Sequence, residues 1–239
     1  VKKFFLRNII ILFLTLFLFS SLSLTSLACQ TDVEKVIYLT FDDGPGGKIT
    51  NKILDTLKEE GVPATFFVIG CQVQNQEDII LRMKNEGHSI GLHSVTHDRN
   101  KLYHGNEGFL KEMLNDQAIL EKTTGQKYKI LRFPFGCNNN TYKLTDSLVN
   151  LIHENDLRIY DWTQDTCDGA NANSSPDCIF KKSISEKNNI TLLMHCGYIN
   201  KNSATALPSI IKHYKKEGYT FKAIDETTPE IYKVTKHNN

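Results

Sequence analysis

Downstream of residue 33 the chain alternates short apolar runs with longer stretches whose apolar positions recur every three or four residues. The runs at 36–40, 64–69, 89–92, 129–131, 158–162, 190–194 and 219–223 are short and apolar enough to be buried strands. Between them, residues 49–60, 77–85, 107–123, 142–154, 176–186 and 207–216 read as amphipathic helices. In the first of these Ile53, Leu54 and Leu57 share a face. Gly61, Gly87, Gly125 and Gly218 stand where helices stop, and Pro176 stands where one starts. No repeat or low-complexity linker interrupts the alternation, so residues 33–239 are expected to form a single β/α domain.

The polar residues decide between a barrel and an open sheet. Asp42 and Asp43 follow the first strand, His93 and His97 the third, and Arg132 the fourth. Asp165 and Asp168 follow the fifth, and His195 ends the sixth. Groups of this kind at the C-terminal ends of successive strands converge on one face only if the sheet curls. The expectation is an irregular (β/α) barrel of seven or eight strands, with the active site at those ends.

The first residues fall outside this pattern. Lys2, Lys3 and Arg7 precede an apolar run at 9–19 and a small-residue stretch ending Ser26-Leu27-Ala28. That is the layout of a secretory signal over residues 1–28, cleaved after Ala28 or kept as an anchor. The run is shorter than the roughly 20 residues of a membrane-spanning helix. Cys29 raises lipid attachment, although Ser26 stands where a lipobox usually has Leu. Export to the cell envelope or beyond is expected, with membrane contact only through an uncleaved leader or a lipidated Cys29.

Without those three basic residues, 25 Lys and Arg face 27 Asp and Glu, a formal charge of about −2. Such a body has no electrostatic case for nucleic acid, and a monomer is expected. The six cysteines form no C-x-x-C pair, which argues against a thiolate metal site. In an exported protein Cys167 and Cys178 are a candidate pair for a loop disulfide, although sequence does not set the connectivity.

Two adjacent carboxylates at a strand end are costly to bury without a compensating cation. His93-Ser94-Val95-Thr96-His97 supplies imidazoles at i and i+4, which one helical turn would bring to a single ion. With one of the Asp pair they make a two-His, one-carboxylate set with open positions. That set suits zinc as a Lewis acid, and on ligand type alone also a non-haem iron oxygenase. The second Asp is then placed to act as a base, with Arg132 holding it ionised. His195 is a candidate acid whose pKa an Asp such as Asp168 would raise. His88 is read as structural, Asp165 as a loop-stabilising group, and His104, His153 and His213 as solvated or structural.

These residues fall into five ordered motifs. They are Thr40-Phe41-Asp42-Asp43-Gly44-Pro45, the segment from Gly87 to His97, Arg132-Phe133-Pro134-Phe135-Gly136, the segment from Trp162 to Asp168, and Leu192-Leu193-Met194-His195. Their order and spacing resemble the polysaccharide deacetylases, the NodB-homology carbohydrate esterases of family 4. The resemblance implies one divalent ion, zinc first and cobalt or another as alternatives, held by Asp43, His93 and His97. It makes Asp42 the general base oriented by Arg132, and His195 the general acid tuned by Asp168. Trp162 and Leu193 would line a slot for the acetyl methyl, and the Phe135 backbone N–H would face the oxyanion. The implied reaction is hydrolysis of N-acetyl groups on N-acetylglucosamine or N-acetylmuramic acid units, in peptidoglycan or a chitin-like polysaccharide. An O-acetyl xylan-type esterase and a non-catalytic glycan-binding member are the alternatives. Three positions depart from the family pattern. Gly169 stands where Trp is frequent, Phe135 where Tyr is common and Cys196 where Asp is frequent. The first two bear on the substrate groove.

Overall fold

The computed structural model describes residues 34–235. Its strands are β1 (Val36–Gly44), β2 (Thr65–Val68), β3 (Ser89–Leu92), β4 (Ile130–Leu131), β5 (Arg158–Ile159), β6 (Gln164–Asp165), β7 (Asn189–His195) and β8 (Thr220–Lys222). The helices are α1 (Lys48–Glu60), α2 (Glu77–Asn85), α3 (Arg99–Leu102), α4 (Asn106–Thr124), α5 (Asp146–Glu154), α6 (Pro176–Ser183) and α7 (Lys201–Lys216). All pairings are parallel, in the order β5-β4-β3-β2-β1-β7-β6. One edge of β1 is taken by β7 along Val36 to Asp42. The start of β1 also pairs with β8, and its end with β2. Among the described residues β5 and β6 do not pair, so the curled sheet is an incompletely closed barrel.

Strand β1 explains why the sheet curls around a polar mouth. Ile37, Leu39 and Phe41 join the main core beneath the helices, with Ile53, Leu54 and Leu57 of α1. The alternate residues Val36 and Tyr38 pack with Phe67, Ile130, Tyr160 and Ile224 in a second cluster on the inner side. Thr40 and Asp42 continue that inner row, so the row turns polar as it reaches the strand ends. Burial on both faces is what makes β1 read as a continuous apolar run.

Several local expectations change. Helix α7 starts at Lys201 rather than 207, because Pro208 is carried inside it at an exposed position. Pro208 removes the N–H that would bond the Ala204 carbonyl one turn back, a cost the helix carries within its packed length. Helix α5 begins at Asp146 rather than 142, where the Thr145 hydroxyl caps it by accepting from the Leu148 N–H. Strand β6 is two polar residues long and carries no periodic signal. Cys167 and Cys178, the candidate pair for a loop disulfide, are both free thiols. The expected leader, its cleavage point and Cys29 lie outside the described residues.

Candidate active site

At its C-terminal end β1 loses register with β2 between Phe41 and Gly44, and Asp43 takes a left-handed φ of 66°. Strict alternation would send Asp42 into the curl and Asp43 toward the helices. The irregularity brings both carboxyls to one mouth instead. Asp42 is 3% exposed, and its Oδ1 accepts a 2.9 Å hydrogen bond from Arg132 Nη1. Arg132 is fully buried and also donates to Thr40 Oγ1 (2.7 Å), Tyr160 O (2.8 Å) and Asp161 O (3.0 Å). Its guanidinium lies over the Phe67 ring at 4.2 Å. A buried ion pair adds little net stability; its consequence here is a fixed carboxylate with its charge matched by a planar fork.

The two histidines reach the site differently from the expectation. Residues 93–97 form no helical turn; Ser94 and His97 sit at φ 69° and 54°, in a compact loop after β3. The loop nonetheless brings His93 Nε2 and His97 Nε2 to 3.5 and 3.4 Å from Asp43 Oδ1. His93 Nδ1 faces the Arg132 carbonyl at 2.9 Å, which assigns its proton there and leaves Nε2 free as a ligand. Asp43 Oδ1 is buried without a hydrogen-bond partner, the signature of an atom whose partner is an ion. One ligand atom from each of Asp43, His93 and His97 lies within 4.8 Å of the others. Burial, then the neighbouring His93 charge, pushes His97 down to about 4, so it is neutral at pH 7 as a ligand must be. Burial alone would raise the Asp43 carboxyl, but the imidazoles of His93, His195 and His97 hold it well below the usual carboxylate range. The donor set fits a divalent metal ion.

Asp42 and His195 are register partners on β1 and β7. His195 Nδ1 lies 2.7 Å from Asp168 Oδ1, and the His195 backbone N–H donates to Asp168 Oδ2 at 2.9 Å. Ser203 Oγ, in α7, donates to the same Oδ2 at 2.6 Å and completes the cradle. Burial alone would lower the imidazole pKa. The Asp168 hydrogen bond and charge outweigh it, with Asp42 and Asp43 adding, and His195 is pushed up to about 9.

A cavity of about 270 Å³ is lined by Asp42, Asp43, His93, His97 and His195 together with Phe135, Trp162, Asp165, Gly169, Ala170 and Leu193. Leu193 is 4% exposed, and Trp162 packs against Gly136. Phe135, at φ 66°, sets its ring edge-on to His97 at 4.5 Å and carries the Arg99 guanidinium at 3.7 Å on its face. Gly169 is not a gap in the wall. A Cβ there would lie 2.3 Å from His195 Cε1, so the backbone itself forms the wall and the ring lies against it. The remaining histidines stand apart. His88 is buried at the start of β3, accepts from the Ala64 N–H, and is pushed down to about 4 by burial. His153 pairs with Glu230, and His213 packs on Phe180 and Tyr214. Asp165 Oδ1 accepts from the Cys167 N–H, a loop-stabilising bond, and also lines the cavity.

Sequence reasoning missed Ser203 and two carboxylates of α4, Glu112 and Asp116, which hydrogen-bond the 93–97 loop. Their i, i+4 spacing on one helix was the available signal.

A curled parallel sheet with an Asp-His-His cluster at its strand ends has the layout of a metal-dependent hydrolase. The family model for polysaccharide deacetylase matches residues 30–151. A peptidoglycan-N-acetylglucosamine deacetylase of Bacillus cereus is 38% identical over 200 residues, covering 81% of this chain and 70% of that protein. The solved structure of a polysaccharide deacetylase from Bacillus cereus superposes with a TM-score of 0.76 at 36% identity, over 83% of this chain and 96% of that one. The catalytic domain of a peptidoglycan N-acetylglucosamine deacetylase from Eubacterium rectale gives a TM-score of 0.77 at 30% identity, over 86% and 94%. The chain belongs to the polysaccharide deacetylase family, and it is an enzyme of that hydrolytic type.

Proposed function

We propose that the protein removes N-acetyl groups from amino sugars of an exported or cell-envelope polysaccharide, peptidoglycan first and a chitin-like glycan second. The observation that carries this reading is the meeting of two oriented pairs, Arg132–Asp42 and Asp168–His195, at the Asp43/His93/His97 cluster. When bound there, a divalent ion, zinc in our reading, supplies Lewis-acid polarisation of the acetamide carbonyl and of water.

The side chains divide the rest of the work. Asp42, oriented by the Arg132 hydrogen bond, takes a proton from the attacking water as its oxygen bonds to the carbonyl carbon. The Phe135 backbone N–H donates to the oxyanion that develops. The cavity wall of Trp162 and Leu193 receives the acetyl methyl. His195 gives its Nε2 proton to the nitrogen as the C–N bond breaks, releasing acetate and a free amino sugar, while Asp168 keeps Nδ1 protonated. Residues 1–28 serve as an export leader in this reading, and the body acts as a monomer.

The test is to incubate zinc-loaded protein lacking residues 1–28 with chitin oligomers, peptidoglycan and O-acetylated xylo-oligosaccharides, and to measure acetate from each. Acetate from an N-acetylated substrate is expected to dominate. Preferential release from xylan would make it an O-acetyl esterase, and tight glycan binding with no acetate would make it a binding protein.

A further inference from the structure

The loop that carries His93 and His97 has no regular secondary structure to hold it, yet it must fix two ligands to within a few tenths of an ångström. Its backbone groups are satisfied from two sides. From the β2 side, Gly70 N–H donates to Ser94 O at 3.0 Å and Cys71 N–H to Val95 O at 2.9 Å. From the α4 side, carboxylates accept the loop's N–H groups. Asp116 Oδ2 takes the His93 N–H at 2.9 Å, sharing it with Val68 O at the end of the β3 ladder. Glu112 Oε2 takes both the Thr96 N–H and the Thr96 hydroxyl at 2.9 Å. Within the loop, Ser94 Oγ accepts the His97 N–H at 3.0 Å.

We propose that Glu112 and Asp116 are positioning residues for the metal site, setting the geometry of His93 and His97 through the backbone between them. Three features support this over incidental contact. The two carboxylates are one helical turn apart on the same face of α4 and grip the loop near both ends. Asp116 is fully buried, which is uncommon for a carboxylate without a structural task. Gly70 is shaped around it, since a Cβ there would lie 2.7 Å from Asp116 Oδ1. The contacts reach backbone rather than imidazole, so the carboxylates act on where the ligands stand; they hold His93 and Thr96, the residues just before the left-handed Ser94 and His97.

The proposal rests on the Asp43/His93/His97 reading of the metal site, and its test separates the two. Zinc affinity of the full chain is measured by chelator competition, and the visible absorption of the cobalt-loaded form reports ligand geometry. Glu112→Ala and Asp116→Ala are expected to weaken zinc binding 10- to 100-fold, the usual consequence of losing a group that orients a ligand, and to alter the cobalt spectrum. Glu112→Gln keeps an acceptor for Thr96 and is expected to recover most of the affinity. If Asp116→Ala does not fold, the half-buried Glu112 pair decides. A parent that binds zinc alongside a Glu112→Ala variant within threefold of it overturns the positioning role alone. Failure of the Gln variant to recover affinity also counts against it. A parent that binds no divalent ion overturns both this role and the metal site.

Discussion

At the scale of single residues, the two acidic-basic pairs give the site a defined pH response. In the proposed mechanism His195 works as the acid only while protonated, and its pKa is pushed up to about 9. Turnover is therefore expected to hold through neutral pH and fall as pH rises through that value. Asp168→Asn removes the charge that raises it, so the alkaline limb should move down toward the ordinary value of 6.5. The same shift carries a stability consequence. A pKa raised by folding stabilises the native state fully below the unfolded value and loses that contribution as pH rises through the folded one. Asp42→Asn keeps an oxygen for Arg132 to donate to but cannot take a proton. Its kcat should drop roughly a hundred- to ten-thousand-fold with the melting transition retained; near-normal acetate release from that variant would remove Asp42 from the base role. Asp42, Asp43 and His195 were legible from sequence because charge at the end of an apolar run has few structural uses. Ser203 was not, because a serine in an amphipathic helix has many.

At the scale of elements, the long periodic segments were readable and the irregular joins were not. Strands β3 and β7 and helices α1, α2 and α4 lie within a residue or two of expectation because their apolar spacing is set by burial. The His93–His97 spacing led to the right pair by the wrong geometry. The loop that carries them is held by contacts with the segment after β2 and with α4, which no local pattern contains. Gly169 belongs here too. It follows β6, a strand of two polar residues, and its meaning depends on the approach of β7 carrying His195. From the sequence it bears only on the substrate groove; in the fold its backbone is the surface on which the His195 ring rests. Gly169→Ala places a methyl where the ring stands, 2.3 Å from His195 Cε1, so the ring, tied to Asp168 through Nδ1, must move. The expected outcome is a fall in kcat of tenfold or more with zinc affinity unchanged, because the ligands lie on other elements. An unchanged kcat would show that the ring relocates without cost.

At the scale of the whole molecule, the candidate metal ligands stand at the rim of a fold held together by other contacts. They come from the end of β1 and a loop already held by hydrogen bonds to the segment after β2 and to α4. The core beneath is a continuous apolar cluster that contains none of them. Removing the ion should therefore abolish turnover without unfolding the chain, unlike a small domain whose fold is metal-dependent. The ion still contributes to stability by mass action, about 2.7 kcal/mol at a free concentration a hundredfold above Kd. For a domain of this size that is a Tm higher by roughly 5–11 °C. Chelated protein is expected to keep its far-UV circular dichroism and a cooperative transition at the lower Tm, and zinc or cobalt should restore both Tm and acetate release. A chelated chain that loses its circular dichroism would show that the site holds the fold together. A Tm indifferent to both zinc and cobalt would argue against a divalent ion at this site, and the buried, unpartnered Asp43 Oδ1 would then lack an explanation.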